Sequence, residues 1–161
     1  MKTKNKTENL NREKRGTEMT NKEKKDYLKR YQKINKEIEQ LLLEKSEILS
    51  LGTKITPTYT DTPKGIGESD RVQSTIEKLE EQEEKIDKKI DLLHEVKTDI
   101  EKVIQSVEDD NLKLLLRYRY INGLTWEKIA VTMNYDYRWI LRLHGKALNK
   151  LTIKSHITSM I

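Results

Sequence analysis

Residues 123–151 read GLTWEKIAVTMNYDYRWILRLHGKALNKL, and their apolar side chains repeat at helical spacing on both sides of one short turn. Before the turn, Trp126, Ile129, Ala130 and Met133 lie three or four residues apart, on one face of a helix. The pattern resumes after the turn. It predicts the layout of a helix-turn-helix, a motif in which the second helix reads DNA.

Polar residues mark the ends of these helices. Thr125 is expected to cap the first helix and Asp136 the second, because such side chains accept hydrogen bonds from the free N–H groups of a first turn. Between them, Asn134 is one of the few non-glycine residues that tolerates the positive φ of a tight turn. Residues 109–111 favour the start of a further helix. The sequence therefore predicts a three-helix unit over 109–152.

The last helix is expected to have a core face and a DNA-reading face. Its apolar residues predict the core face, whereas arginine on the other face can bond guanine and apolar groups can touch thymine methyls. The candidates for reading bases are Tyr137, Arg138, Leu141 and Arg142. Basic residues around them are candidates for phosphate contacts, which give affinity rather than specificity: Lys113, Arg117, Arg119, Lys128, Lys146, Lys150 and Lys154.

Small three-helix units also dock proteins, so several residues of this stretch have a second interpretation. Trp126 is expected in the core, whereas Tyr137 and Trp139 fit the core rim and the groove equally well. His144 is interpreted as a helix-surface or phosphate-facing residue. Gly145 costs roughly 1 kcal/mol inside a helix, which indicates close approach by another helix or by a DNA backbone.

Composition argues against an enzyme. The 161 residues are 34% hydrophobic and 37% charged, which predicts one small domain with extended, solvated helices. Cysteine is absent and the three histidines are scattered, so no metal site is expected. We find no glycine-rich phosphate loop and no paired nucleophile and base in the sequence, so no cofactor and no catalytic residue is predicted.

The net charge of +5 is unevenly distributed. Residues 69–110 carry seven Lys/Arg and fourteen Asp/Glu, whereas residues 111–161 carry nine Lys/Arg and two Asp/Glu. Phosphates would repel the acidic segment and attract the basic one. The distribution therefore predicts that polyanion binding is confined to the C-terminal third.

The sequence ahead of this unit predicts two long helices. A flexible tail (1–19) precedes an amphipathic helix (20–51), and a linker with both prolines (52–68) leads to a long helix (69–108). The second helix has a heptad seam: Val72, Ile76, Leu79, Glu83, Ile86, Ile90, Leu93, Lys97, Ile100, Ile104 and Val107.

The seam needs a partner, either the helix of residues 27–50 folded back antiparallel or the same helix of a second subunit. With a short tail at 153–161, the prediction is an all-α fold of long coiled-coil-like helices followed by a C-terminal three-helix helix-turn-helix unit. The longest apolar runs are triplets, so no membrane span is expected. The Lys-rich N-terminus lacks an apolar signal core, which favours an intracellular location.

Three segments carry a resemblance to a known family: 120–130, 134–135 and 142–148. They resemble the phage regulators related to RinA and ArpU, whose C-terminal part is similar to sigma-factor region four. The resemblance implies a phage or prophage transcriptional regulator in a bacterial cytoplasm. Its expected partners are double-stranded DNA, RNA polymerase and a second copy bound through the long helices.

Two other classes of protein remain open. A DNA-packaging subunit similar to a phage small terminase would also combine a helix-turn-helix with a coiled coil, but it should form a ring. A purely structural coiled-coil protein would show no salt-dependent affinity for DNA.

Overall fold

The computed structural model describes residues 19–53 and 67–153. These residues form five α-helices and one π-helical turn, with no strand among them. The elements are α1 (Asn21–Thr53), α2 (Gly67–Gln105), α3 (Asp110–Leu116), the π-helical turn (Arg117–Ile121), α4 (Trp126–Met133) and α5 (Tyr137–Lys150). The predicted all-α fold, with two long helices ahead of a three-helix unit, is confirmed.

Parts of the predicted organisation lie outside the described residues. These are nearly all of the tail at 1–19, most of the linker at 52–68, and the C-terminal tail from residue 154 onward, which includes the phosphate-contact candidate Lys154. Ile153 is described, and it is buried at 4% exposure. That side chain, which the sequence assigned to the tail, therefore belongs to the core.

The chain divides into two compact units, and the division falls inside both long helices. One unit, here the hairpin unit, comprises the described residues 33–53 and 67–95. The other, here the helix-turn-helix unit, comprises the described residues 19–32 and 96–153. The start of α1 thus belongs to the same unit as the C-terminal helices, more than 100 residues away along the chain.

In the hairpin unit, α1 and α2 run antiparallel. Lys89 forms an ion pair with Glu37 at 2.7 Å, and Lys45 forms one with Glu83 at 2.6 Å. A later residue of α1 thus pairs with an earlier residue of α2, as antiparallel helices require. Of the two partners predicted for the seam, the helix of the same chain is therefore present in this unit.

The helix-turn-helix unit has a continuous apolar core. Leu115 of α3, Ile129 and Ala130 of α4 and Ile140 of α5 form one buried cluster. Leu28 of α1 and three residues at the end of α2 or just after it are also fully buried in this unit: Ile100, Ile104 and Val107. Because Ala130 carries only a methyl group, α4 and α5 can pack closely here.

Local chemistry defines the ends of the short helices. The Asp109 side chain accepts hydrogen bonds from the backbone N–H groups of Asn111 and Leu112 at the start of α3. At the other end of this helical segment, the N–H of Asn122 donates to the Arg117 carbonyl at 2.9 Å, a spacing of five residues that defines the π-helical turn. A π turn has no periodic signature of its own, so the spacing of apolar residues after Asp109 does not distinguish it from α-helix.

Candidate nucleic-acid interface

The turn between α4 and α5 sets the direction of the candidate reading helix. Thr125 caps α4 through the N–H of Lys128, and Asp136 caps α5 through the N–H of Arg138 at 2.8 Å. Between the helices, Asn134 has φ 55° and ψ 45°, the left-handed conformation. The three predictions for this turn, two caps and one positive φ, are confirmed.

The two faces of α5 differ as the sequence predicted. Ile140, Ala147 and Leu148 are buried, so this side of the helix packs on the core. The four base-reading candidates all lie on the exposed side: Tyr137, Arg138, Leu141 and Arg142.

Arg138 and Arg142 lie one helical turn apart, and both are exposed. Tyr137 and Leu141 beside them are each about two-fifths exposed, which is high for large apolar side chains. Two cations and two apolar groups on the first turns of a capped helix match what a major groove offers, namely guanine acceptors and thymine methyls. This group could therefore read a short sequence.

Two further apolar side chains are exposed near this group. Trp139 is 41% exposed, and the ammonium of Lys146 lies 5.7 Å from the centre of its ring. On α4, Val131 is 82% exposed. Trp139 therefore lies outside the closed core, at the surface, where both the core rim and the groove remain open as its location.

The phosphate-contact candidates fall into two groups. Lys128, Lys146 and Lys150 are exposed, and within the described residues none of the three is in an ion pair. The other described candidates have partners inside the unit. Lys113 pairs with Asp110 at 3.0 Å and Arg117 with Glu101 at 3.4 Å, both near the surface.

Arg119 is the most constrained of the second group. Its guanidinium donates to the Leu124 carbonyl at 2.8 Å and lies 4.5 Å from the ring centre of Trp126. The residue is half-buried. Arg119 therefore stabilises the loop between the π-helical turn and α4. Of the three exposed lysines, Lys146 lies near the ring of Trp139, which is itself at the surface.

The interpretation of His144 as a surface or phosphate-facing residue is wrong. Its side chain is buried at 6% exposure, Nε2 lies 2.9 Å from the Tyr120 hydroxyl, and the Trp126 ring lies 4.7 Å away between ring centres. Burial, with smaller contributions from the charges of Lys25 and Arg119, lowers the pKa of His144 from 6.5 to about 4. A neutral imidazole in the core is poorly suited to contact a phosphate.

Burial also raises the pKa of the Tyr120 hydroxyl to about 12. This hydroxyl therefore keeps its proton and serves as the polar partner of His144 inside the unit. The pair satisfies two polar groups that would otherwise be buried without hydrogen bonds, each at a cost of roughly 1–3 kcal/mol. The Tyr120–His144 pair therefore has a structural role: its hydrogen bond connects the π-helical turn to α5.

The sequence did not indicate that the start of α1 packs on this unit. Lys24 donates to the carbonyl of Leu148 at 3.0 Å, and the amide of Asn21 donates to the amide oxygen of Asn149 at 2.8 Å. One usable signal was present: Thr20 and Glu23 form a capping box, in which the Thr20 N–H donates to the Glu23 carboxylate at 2.6 Å. The capping box indicates where α1 begins, but it does not indicate which helices α1 packs against.

Residues 19–53 and 67–153 contain no group of three or more His, Cys, Asp or Glu side chains that could hold a metal ion. No helix among them is long and apolar enough to cross a membrane. Comparisons of the chain with protein-family models, with curated proteins and with solved structures gave no match.

Proposed function

We propose that this protein is a sequence-specific, double-stranded-DNA-binding transcriptional regulator of phage or prophage genes, acting in the cytoplasm of a bacterial host. The observation that carries the proposal is the exposed group of Arg138, Arg142 and their two apolar neighbours on the first turns of a capped helix. The resemblance of segments 120–130, 134–135 and 142–148 to phage regulators supports the phage context.

In the proposed complex, the first half of α5 enters the major groove. Arg138 and Arg142 bond guanine O6 and N7, and Tyr137 and Leu141 contact thymine methyls. Lys128, Lys146 and Lys150 contact backbone phosphates, which fixes the position of α5 in the groove without reading sequence. The concentration of positive charge in residues 111–161 supports this arrangement, because it attracts the duplex to this part of the chain.

The long helices provide the proposed oligomerisation surface. Several large apolar side chains of the hairpin unit remain well exposed although α1 and α2 pair within the chain: Leu42, Leu43, Leu49, Leu51, Val72, Ile76 and Ile90. Such side chains favour burial against a second copy or against RNA polymerase. A dimer would present two α5 helices to two half-sites, whereas a ring-sized mass in solution would favour a packaging subunit.

The test begins with selection of preferred sites from a random duplex pool, followed by gel shifts with Arg138→Ala and Arg142→Ala. Each variant is expected to lose about 1–3 kcal/mol of binding free energy and to discriminate less at one base pair. Arg71→Ala is the matched control, because Arg71 is an exposed arginine of the hairpin unit. Wild-type affinity and specificity in both α5 variants would refute the proposed reading face.

A further inference from the structure

The beginning of α1 extends the exposed face of α5. Asn149, whose side chain accepts the hydrogen bond from Asn21, follows Arg138, Arg142 and Gly145 at spacings of four, three and four residues. These spacings place the four residues on one helix face, over about 16 Å of helix length. A duplex lying along the arginines would therefore meet α1 at the far end of the same face.

Three lysines occupy one side of this part of α1. Lys22, Lys25 and Lys29 are spaced by three and four residues, which aligns them along the helix, and all three are exposed. The core of the helix-turn-helix unit buries Tyr27, which lies on the opposite side of α1, and Leu28, which lies between that side and the stripe. The packing of α1 thus turns the lysine stripe outward.

The nearby charges leave this stripe cationic. Within the described residues, none of the three lysines has a hydrogen bond or an ion pair that would neutralise it. Of the two acidic residues between them, Glu23 is held by Thr20 in the capping box. Asp26 is exposed and lies four residues after Lys22 and three before Lys29, on the same face, so the stripe keeps an excess of two positive charges. Three hydrogen bonds hold this part of α1 against the rest of the unit: from Asn21 to Asn149, from Lys24 to Leu148 and from Gln32 to the carbonyl of Arg119.

We propose that the first three turns of α1 are a second phosphate-binding element, in which Lys22, Lys25 and Lys29 contact the backbone of the duplex that α5 reads. This inference rests on the proposed DNA-binding function and adds three residues to it. It also extends the DNA contacts beyond the C-terminal third, to which the charge distribution of the sequence had confined them.

The proposed lysine contacts have a defined place on the protein, but they do not depend on the base sequence of the DNA. A lysine ammonium is a compact point charge that binds any phosphate, so the stripe adds affinity equally for all sequences. Each neutralised phosphate releases counterions, and the slope of log K against log salt concentration changes by about 0.9 per contact. The stripe is therefore expected to contribute about 2–3 to that slope.

The experiment compares the wild-type chain with a triple variant, Lys22→Gln, Lys25→Gln and Lys29→Gln. The control is a second triple variant with the same change in net charge: Lys78→Gln, Lys85→Gln and Lys88→Gln, three exposed lysines of α2 in the hairpin unit. Binding to a selected site and to an unrelated duplex is measured between about 50 and 200 mM salt. Thermal melting of each variant, followed by circular dichroism, shows whether it is folded.

The α1 variant is expected to lose roughly tenfold to a hundredfold in affinity for both duplexes, with a slope smaller by about 2–3, while the control binds as the wild type does. Wild-type affinity and slope in a folded α1 variant would overturn this proposal and leave the proposed function intact. An equal loss in both triple variants would also overturn it, since the effect would then follow net charge alone. Absence of any salt-dependent binding by the wild-type chain would overturn the proposed function itself, and this inference with it.

Discussion

The two units of this protein bury their apolar side chains to different degrees. The largest side chains that are less than 2% exposed all lie in the helix-turn-helix unit: Leu28, Ile100, Ile104, Val107, Leu112, Leu115, Leu116, Ile129, Ile140, Leu148 and Leu151. In the hairpin unit, the best-buried apolar side chains, Ile34, Ile38 and Ile86, are 7–8% exposed. One unit thus has a closed core, and the other has two helices that cover each other in part.

Polar contacts also join α1 and α2 in the hairpin unit. Gln82 is buried there, and its amide donates to the Leu41 carbonyl at 3.1 Å and to the Glu44 carboxylate at 2.9 Å. The Lys45–Glu83 and Lys89–Glu37 pairs are partly exposed, and such pairs contribute about 0–1 kcal/mol each. The helix-turn-helix unit therefore has the more completely buried core, whereas the hairpin unit keeps exposed apolar side chains whose burial against a further partner would stabilise it.

The largest effect is expected for truncation in the closed core. Ile140→Ala removes a fully buried side chain and should lower the free energy of unfolding by about 2–5 kcal/mol. Ile90→Ala, at a seam position that is 39% exposed, should cost under about 1 kcal/mol. Urea titrations measure both: fluorescence of Trp126 and Trp139 follows the helix-turn-helix unit, and circular dichroism follows all helices.

If Ile90→Ala lowered the free energy of unfolding as much as Ile140→Ala does, the predicted order of the two effects would be wrong for a single chain. Such a result would show that Ile90 is buried by a second copy, and the unfolding midpoint would then rise with protein concentration.

Acid is expected to destabilise the units over different pH ranges. The folded protein keeps His144 neutral because its pKa is about 4, whereas the unfolded chain takes up the proton near pH 6.5. Between these values the unfolded state binds more protons, so stability falls as the pH falls. From pH 7 to pH 5 the helix-turn-helix unit should lose about 2 kcal/mol.

In the hairpin unit, the hydrogen bond from Lys89 lowers the pKa of Glu37 from 4.5, so its contribution is lost only at more acid pH. The measurement is the midpoint of the tryptophan-fluorescence transition at pH 7 and pH 5, in wild type and in His144→Gln. The glutamine at position 144 does not titrate, so the variant should lack most of the change in midpoint between pH 7 and pH 5. The same shift in both proteins would assign it to another group.

Features that depend on residues close together in the sequence were predicted, and contacts between residues far apart in the sequence were not. The caps at Thr125 and Asp136 and the turn at Asn134 were predicted correctly, because each depends on the residue type and on neighbours within three positions. The exposed side of α5 was also predicted correctly, since helical periodicity separates Arg138 and Arg142 from the buried positions.

Interactions between residues distant in sequence had no such signal. His144 lies four residues after Ile140 and four before Leu148, so helical periodicity places it on the core face, whereas its polar side chain favoured a surface position. The partner that allows its burial, Tyr120, comes from a different helical segment and was not predicted. The contact of Asn21 with Asn149 joins residues 128 positions apart. Likewise, the sequence predicted a phosphate contact for Arg117 because it could not show that Glu101, sixteen residues earlier, forms an ion pair with it.

The smallest expected effect concerns two glycines, one in each unit. Gly145 lies inside α5, and a Cβ atom there would meet nothing within 4 Å among the described residues. Close approach by another helix of this part of the chain therefore does not explain the glycine. Gly145→Ala should raise the free energy of unfolding by about 0.5–1 kcal/mol, measured by urea titration, because alanine restricts the unfolded chain and favours the helix.

In α1, by contrast, a Cβ at Gly52 would lie 2.6 Å from the Cγ2 atom of Thr75, so Gly52→Ala should give no gain or a loss. Stabilisation by both substitutions would contradict the close α1–α2 contact at that position. The DNA affinity of Gly145→Ala then distinguishes two reasons for the remaining glycine. Since Gly145 lies on the face shared by Arg142 and Asn149, a more stable variant that binds DNA less tightly would indicate that the sugar-phosphate backbone approaches α5 at this point, whereas unchanged binding would place the duplex nearer to Arg138.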